Sequence, residues 1–414
     1  MMVPGSATTT TAVPAKIRSL FSGYDTGTQA LLALAALAFM ARAFVIVMSV
    51  GSNDMTTWLG FAEKISETSV GQLYDEHKMF NHPPLMGLFA SAAYDLSRVI
   101  GVRFEWLFKA PLLLADVACA WLLFLNWQSR GIRRAAAVVA LFAWNPASIL
   151  IGAYHGNTDA LCVSFMLLSA ILMDRALAFW SGLALAAAIN VKLIPVLLIV
   201  PLWVCVRDRQ GALRFLAGLS IGALPFLPYM IGHWHGFYQH VLSYRSNPRL
   251  WGIPFILAQL QDVEHVGTAA LALAKFWAKK GTLALLCWPV LLAWWRRKRQ
   301  PDFGARELGA CTLLGFMVLT PGWGVQYLVY PVPLLFAVNV ELALWYSTLA
   351  GLNAFALYAS LWTGGVPWYS DFFRGEPFGP LAFGCLVWAV AARLAFALLR
   401  RRQPAPALVG VATT

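Results

Sequence analysis

Long apolar runs recur along nearly the whole chain, from Thr28 to Leu399, separated by short polar breaks. A helix of about 20 apolar residues crosses the roughly 30 Å hydrocarbon core of a bilayer. Repetition of such runs therefore predicts an all-α polytopic membrane protein. Composition agrees. Hydrophobic residues make up 59% of the chain and charged residues 12%, where a soluble domain carries about 25% charged residues. Mean hydropathy is +0.65. No polar stretch is long enough to build a separate soluble core.

The basic residues set the expected topology. Lysine and arginine number 31 against 19 acids, for a net charge of +12. In a membrane protein such an excess marks cytoplasmic loops seated on anionic lipid, and nucleic acid is not expected as a partner. Lys16 and Arg18 precede the first span and place the N-terminus inside. Clusters at Arg130–Arg134, Arg207–Arg214, Arg296–Arg299 and Arg400–Arg402 mark further inside ends. The expected count is about twelve transmembrane helices with both termini cytoplasmic. Residues 1–27 read as a disordered cytoplasmic N-terminus without a signal-peptide cleavage pattern. Residues 28–402 form the membrane domain and 403–414 a cytoplasmic tail. The first outer loop, 51–103, is expected to hold two interfacial helices, Met55 to Ser66 and Pro84 to Ile100. Between residues 176 and 206, two apolar runs of about 15 residues are broken at Asn190-Val191-Lys192. Each reaches only roughly 22 Å as a helix, and broken helices are tolerated where they line a polar cavity. The six cysteines lie in apolar spans and read as small core residues, not as disulfides or metal ligands.

Polar residues away from the basic clusters fall at outer helix ends. Asp54, past the first span, is a candidate general base; the plainer reading is a helix N-cap, by Asn53 or Asp54. His82, in His82-Pro83-Pro84, either meets a reacting hydroxyl or merely precedes a proline-started helix. His155, Asn157 and Asp159 suit sugar hydroxyls or the orientation of a catalytic group, and no spaced ligand set for zinc accompanies them. Lys192 is costly inside a membrane segment unless it meets a phosphate or snorkels to the interface. Arg245 and Arg249 could bond phosphate oxygens, although wet loop arginines more often bind nothing specific. Gln326 falls at another outer helix end, next to Tyr327. The sequence carries no phosphate-cradling loop, dinucleotide fingerprint or nucleophile elbow.

Several segments follow one another along the chain: Asp54-Met55-Thr56-Thr57-Trp58, Phe80-Asn81-His82-Pro83-Pro84-Leu85, Lys109-Ala110-Pro111 with Asp116, Asn145-Pro146 running to His155-Gly156-Asn157-Thr158-Asp159, Lys192-Leu193-Ile194-Pro195 and Gln326-Tyr327-Leu328. Taken in this order they resemble the integral-membrane glycosyltransferases of the GT-C superfamily, and within it the polyprenyl-phosphate-mannose-dependent mannosyltransferases. The resemblance implies a GT-C-like fold whose first-loop acid, Asp54, acts as catalytic base or positions the acceptor. His82 joins it as a catalytic candidate. His155, Asn157, Asp159, Lys192, Arg245, Arg249, Gln326 and Tyr327 are the substrate-binding candidates. Many members carry a pair of acids on this loop where this chain has Asn53-Asp54. No cofactor is required by the sequence, and a divalent cation is left open. The implied reaction moves a sugar, mannose by resemblance, from a polyprenyl-phosphate donor to a lipid-linked or glycan acceptor, with inversion. The implied setting is a bacterial plasma membrane with the site facing the periplasm or cell exterior. The competing class is a lipid-linked sugar flippase or secondary transporter, which needs ionisable groups near mid-membrane and access from both sides.

Overall fold

A computed structural model describes residues 23–244, 247–248, 251–361 and 378–400. Arg245 and Arg249 lie outside the described residues, as do most of the N-terminal segment and the C-terminal tail. The described chain is helical, and its one β-like feature is an isolated antiparallel bridge between Trp251 and Trp323. Six helices are long and apolar enough to cross a membrane, or seven if a bent pair is counted as one span. The expected count of about twelve is not confirmed by this measure. Several apolar stretches fold as shorter pieces, Ala178–Val191, Ile194–Trp203 and Val325–Val338 among them.

The first span is α1, Thr26–Met48. The first loop then forms α2, Asn53–Glu67, α3, Val70–Glu76, and α4, Pro84–Ile100. The two expected loop helices are α2 and α4; α3 was not foreseen. Pro84 opens α4, where its missing N–H leaves no helical bond unmade. Gly101 ends it in the left-handed region. The span α5, Phe104–Trp127, carries Pro111 in its interior. Next, α6, Ile132–Ala143, is bent by 46° from the segment Pro146–His155, whose last part is a π-helix. Asn145-Pro146 explains the break: proline donates no N–H and clashes with the preceding turn.

An arginine in α1 repairs that break. Arg42 is fully buried, and its guanidinium donates to the carbonyls of Phe142 and Ala143, at 2.7 Å in the best case. It also pairs with buried Asp116 of α5. A Cβ on Gly152 would come within 2.8 Å of that carboxylate. One charge pair thus joins α1, α5 and the broken helix.

Helices α7, Asp159–Asp174, and α8, Ala178–Val191, follow. The helix α9, Arg209–Ala223, packs on α8 through glycines. A Cβ on Gly182 would meet Phe215 O at 2.1 Å, and one on Gly218 would meet Phe179 O at 2.0 Å. Small residues let membrane helices approach backbone to backbone. Among the helices that follow are α10, Gly267–Arg299, α11, Ala305–Leu319, α12, Val332–Val338, α13, Val340–Leu361, and α14, Phe378–Arg400. Among the cysteines, Cys119, Cys162 and Cys311 are buried as expected, whereas Cys287 is exposed.

The bundle has two chemically distinct poles. At one, Arg306 bonds Asp174 and Asn126, Arg296 donates to Val204 O and Phe303 O, and Arg130 and Arg134 flank the end of α5. At the other, the C-terminus of α1 and the N-terminal turns of α2, α5 and α7 converge with the end of α8.

Candidate active site

The turn before α2 explains how Asp54 is presented. Ser52 is the N-cap: its Oγ accepts from Asp54 N–H at 3.2 Å. The expectation that Asn53 or Asp54 caps this helix is therefore corrected. Asp54 sits in the first turn with its carboxylate free for other contacts. It accepts from Asn157 Nδ2 at 2.6 Å and meets His155 Nε2 at 3.1 Å, both on Oδ2. Its side chain keeps 34% exposure, so the carboxylate still has an open side.

Asn157 is fixed in turn, since its Oδ1 accepts from Thr158 N–H at 2.7 Å and leaves the amide nitrogen for Asp54. The two segments are stitched together by their backbones. Ser52 N–H and Oγ both donate to His155 O, at 3.3 and 3.1 Å. Below them lies Lys109, wholly buried, whose ammonium donates to Ser49 O at 3.2 Å and Tyr154 O at 3.3 Å. Gly51 and Gly156 make room for it at positive φ, +110° and +76°. A Cβ on either would come within 2.9 Å of the Lys109 side chain.

The carboxylate and the imidazole have defined charge states. Burial pushes the Asp54 carboxyl up, but the His155 hydrogen bond, the nearby His155 ring and the Lys192 charge outweigh it and bring it down to about 2. Asp54 is therefore an anion at neutral pH. His155 Nδ1 is buried without a protein hydrogen-bond partner. The His82 ring packs at a tilt against Trp58 with centroids 4.3 Å apart, and its carbonyl accepts from Tyr74 Oη at 2.6 Å. Desolvation in that crowded setting, with Lys192 nearby, pulls its imidazole down to about 3 despite Asp54. It is a neutral ring at physiological pH.

Lys192 follows the last turn of α8 at the expected break. The sequence left its charge uncompensated, to await a phosphate. Instead Asp159 meets it with both oxygens, at 2.9 and 2.8 Å. The Asp159 side chain is 0% exposed and that of Lys192 8%. The ammonium also lies 5.3 Å from the Tyr327 ring centroid. Gln326 is half-buried beside Tyr327 on the short helix Val325–Val329.

Of the ten candidates, Asp54, His82, His155, Asn157, Asp159, Lys192 and Tyr327 thus lie near one another. Gln326 is the sequence neighbour of Tyr327, and the two arginines are outside the described residues. Lys109, Ser52 and Trp58 support the site without having been chosen as site residues. Ser52 had a readable signal, a serine just before a helical stretch. Among the described residues, no group of three or more histidines, cysteines or acids is placed to hold a metal ion.

The family model for glycosyltransferase family 87 matches residues 80–321. No curated protein matches the chain. The matched segment holds His82, His155, Asn157, Asp159 and Lys192; Asp54 precedes it, and Gln326 and Tyr327 follow it. More than half the chain is covered, and its apolar helices suit a membrane family of the GT-C type. The chain belongs to glycosyltransferase family 87 and is a multi-pass membrane glycosyltransferase.

Proposed function

We propose that this enzyme transfers a hexose, mannose by resemblance, from a polyprenyl-phosphate donor to the hydroxyl of a lipid-linked or glycan acceptor, with inversion. The observation that carries the reading is the cluster of Asp54, His155 and Asn157 against Lys192–Asp159 at one pole of an otherwise apolar bundle. A donor with a lipid tail reaches such a site from the bilayer. The arginine-rich opposite pole supports an outward-facing site by the positive-inside rule, in a bacterial plasma membrane if the resemblance holds.

The chemistry follows from the charge states. The acceptor hydroxyl donates to Asp54 and attacks the anomeric carbon. The bond from that carbon to the phosphate oxygen breaks, and its electron pair stays on the phosphate. A carboxylate with a pKa near 2 is a weak base toward an ordinary alcohol. It suffices once the new carbon–oxygen bond forms, because the attacking oxygen then becomes strongly acidic. Asp54 thus orients the hydroxyl first and takes the proton late. Lys192, steered by Asp159, stabilises the leaving phosphate, with Arg245 as a second contact. His82 and Tyr327 border the sugar. A divalent cation is not part of this scheme.

The test uses purified protein in nanodiscs with a short lipid-linked glycan acceptor. Labelled polyprenyl-phosphate mannose, polyprenyl-phosphate glucose and nucleotide-linked mannose are compared as donors. Transfer from the polyprenyl-phosphate mannose, with an inverted anomeric configuration in the product, is expected. Transfer from the nucleotide sugar alone would overturn the reading. Orientation is checked with single cysteines at positions 53 and 298 in a cysteine-free background. An impermeant thiol reagent should label 53 and not 298 from outside.

A further inference from the structure

A second polar concavity lies at the far end of α5, one helix length from Asp54. Lys109 to Trp127 spans 18 residues of that helix, roughly 27 Å at 1.5 Å per residue. The cavity has a volume of about 400 Å3 and is lined by Trp127, Arg130, Arg134, Asn339, Glu341 and two flanking valines. It sits at the end of the candidate span Phe104–Arg130, the level at which lipid headgroups meet a membrane protein.

The groups around it are built for an anion. Trp127 is buried, and its indole N–H is fixed by Phe336 O at 2.9 Å. Arg130 and Arg134 both lie over this ring, at 4.6 and 4.9 Å from its centroid. One aromatic ring therefore holds two guanidinium groups at the edge of one cavity. Elsewhere Arg42 has Asp116 and Arg306 has Asp174. Among the described residues, no salt bridge within 4.0 Å is formed by Arg130 or Arg134, and the Glu307 carboxyl feels the Arg130 charge. Glu341 lines the cavity but pairs with neither. The N-terminus of α13 adds a further positive end: Asn339 Oδ1 takes the N–H of Leu342 at 3.1 Å, and Val340 and Glu341 border the cavity.

We propose that this pocket binds a phosphate group, and that its occupant is the headgroup of an anionic phospholipid in the leaflet opposite the active site. Two guanidinium groups fork onto phosphate oxygens. The acyl chains would run along the apolar flank of the bundle. The site is separate from the donor phosphate site and does not depend on the proposed transfer reaction.

Native mass spectrometry of the full chain, released from detergent with added phosphatidylglycerol or phosphatidylcholine, tests this. Retention of phosphatidylglycerol over phosphatidylcholine is expected. Each arginine near an anionic headgroup contributes about fivefold in affinity, so R130Q/R134Q should weaken phosphatidylglycerol binding roughly 20-fold. R130K/R134K keeps the charges but loses the forked bonds and should bind between wild type and R130Q/R134Q, which separates loss of the site from loss of the fold. E341Q should strengthen binding. Millimolar inorganic phosphate is the second arm. Failure of phosphate to compete supports the lipid as occupant. Efficient displacement by phosphate would overturn the lipid assignment. Equal retention of phosphatidylglycerol by wild type and R130Q/R134Q would overturn the site itself.

Discussion

Lys192→Met should destabilise this protein more than Asp159→Asn, and the two changes together should cost less than Lys192→Met alone. Lys192 and Asp159 share two short hydrogen bonds in a place closed to solvent. Removing one partner of a buried ion pair costs about 3–5 kcal/mol, because the other charge remains without compensation. The two halves are not equivalent. Asp159 is wholly buried, so Lys192→Met strands a carboxylate and should reach the upper end of that range. In Asp159→Asn the ammonium keeps the Tyr327 ring, worth about 0.5–2 kcal/mol, and a little exposure, so the loss should sit near the lower end. Lys192→Met/Asp159→Asn removes both charges and should recover most of the deficit, giving a coupling of about 2 kcal/mol or more between the sites. Thermal and denaturant unfolding of the purified variants in one detergent, followed by tryptophan fluorescence, measures the cycle. Simple additivity would refute the pair as a stabilising unit. The folded double variant then isolates function. If Lys192 also holds the donor, its affinity for bare polyprenyl phosphate falls; unchanged affinity would make the lysine structural only.

Asp54→Asn should keep the fold, because Ser52 and not Asp54 caps α2, while transfer drops about 100-fold or more; near-normal turnover would remove Asp54 from catalysis. Lys109→Met should lower kcat with little change in donor KM by loosening the Ser49 and Tyr154 carbonyls, and Lys109→Arg should restore part of it. Equal loss of binding and turnover would mean general unfolding of the site. His82 is neutral in the fold with its imidazole held near 3, while an unfolded histidine titrates near 6.5. Between those values the unfolded chain binds the extra proton, so stability is full above about pH 6.5 and falls with acid by at most about 1.4 kcal/mol per pH unit. His82→Gln should flatten that slope in thermal melts at pH 5 to 7, and an unchanged slope would assign it to another group.

The sequence was most readable where a single residue carries its own cost. Lys192 broke an apolar run, and α8 ends there. Asp54, His155, Asn157 and Asp159 could be assigned to one side because each follows or precedes an apolar span of known direction. What they bond could not be read. Asp159 lies 33 residues from Lys192, and helix periodicity carries no information about which span packs on which. The same limit hid Arg42 and Asp116, separated by 74 residues. It also made Lys109 a motif residue without a role, since its partners are backbone carbonyls that any sequence would supply. The bend at Asn145-Pro146 had a local signal in its proline. The span count was less legible because hydropathy does not distinguish a crossing helix from two shorter ones sharing an apolar run.

The Arg42–Asp116 pair also bears on how the chain is made. Ribosomes deliver residues in order, at about 5–20 per second, so roughly 4–15 s separate the synthesis of Arg42 from that of Asp116. During that interval the first helix holds a guanidinium that costs up to about 3 kcal/mol at mid-bilayer and less toward the helix end. The carbonyls of Phe142 and Ala143 that later receive it are made later still. The nascent first helix must therefore wait at the insertion machinery, or tilt to keep its charge wet, until its neighbours are delivered. Biogenesis of this enzyme has a built-in order in which the helix that carries Arg42 is made before its partners and settles only after them.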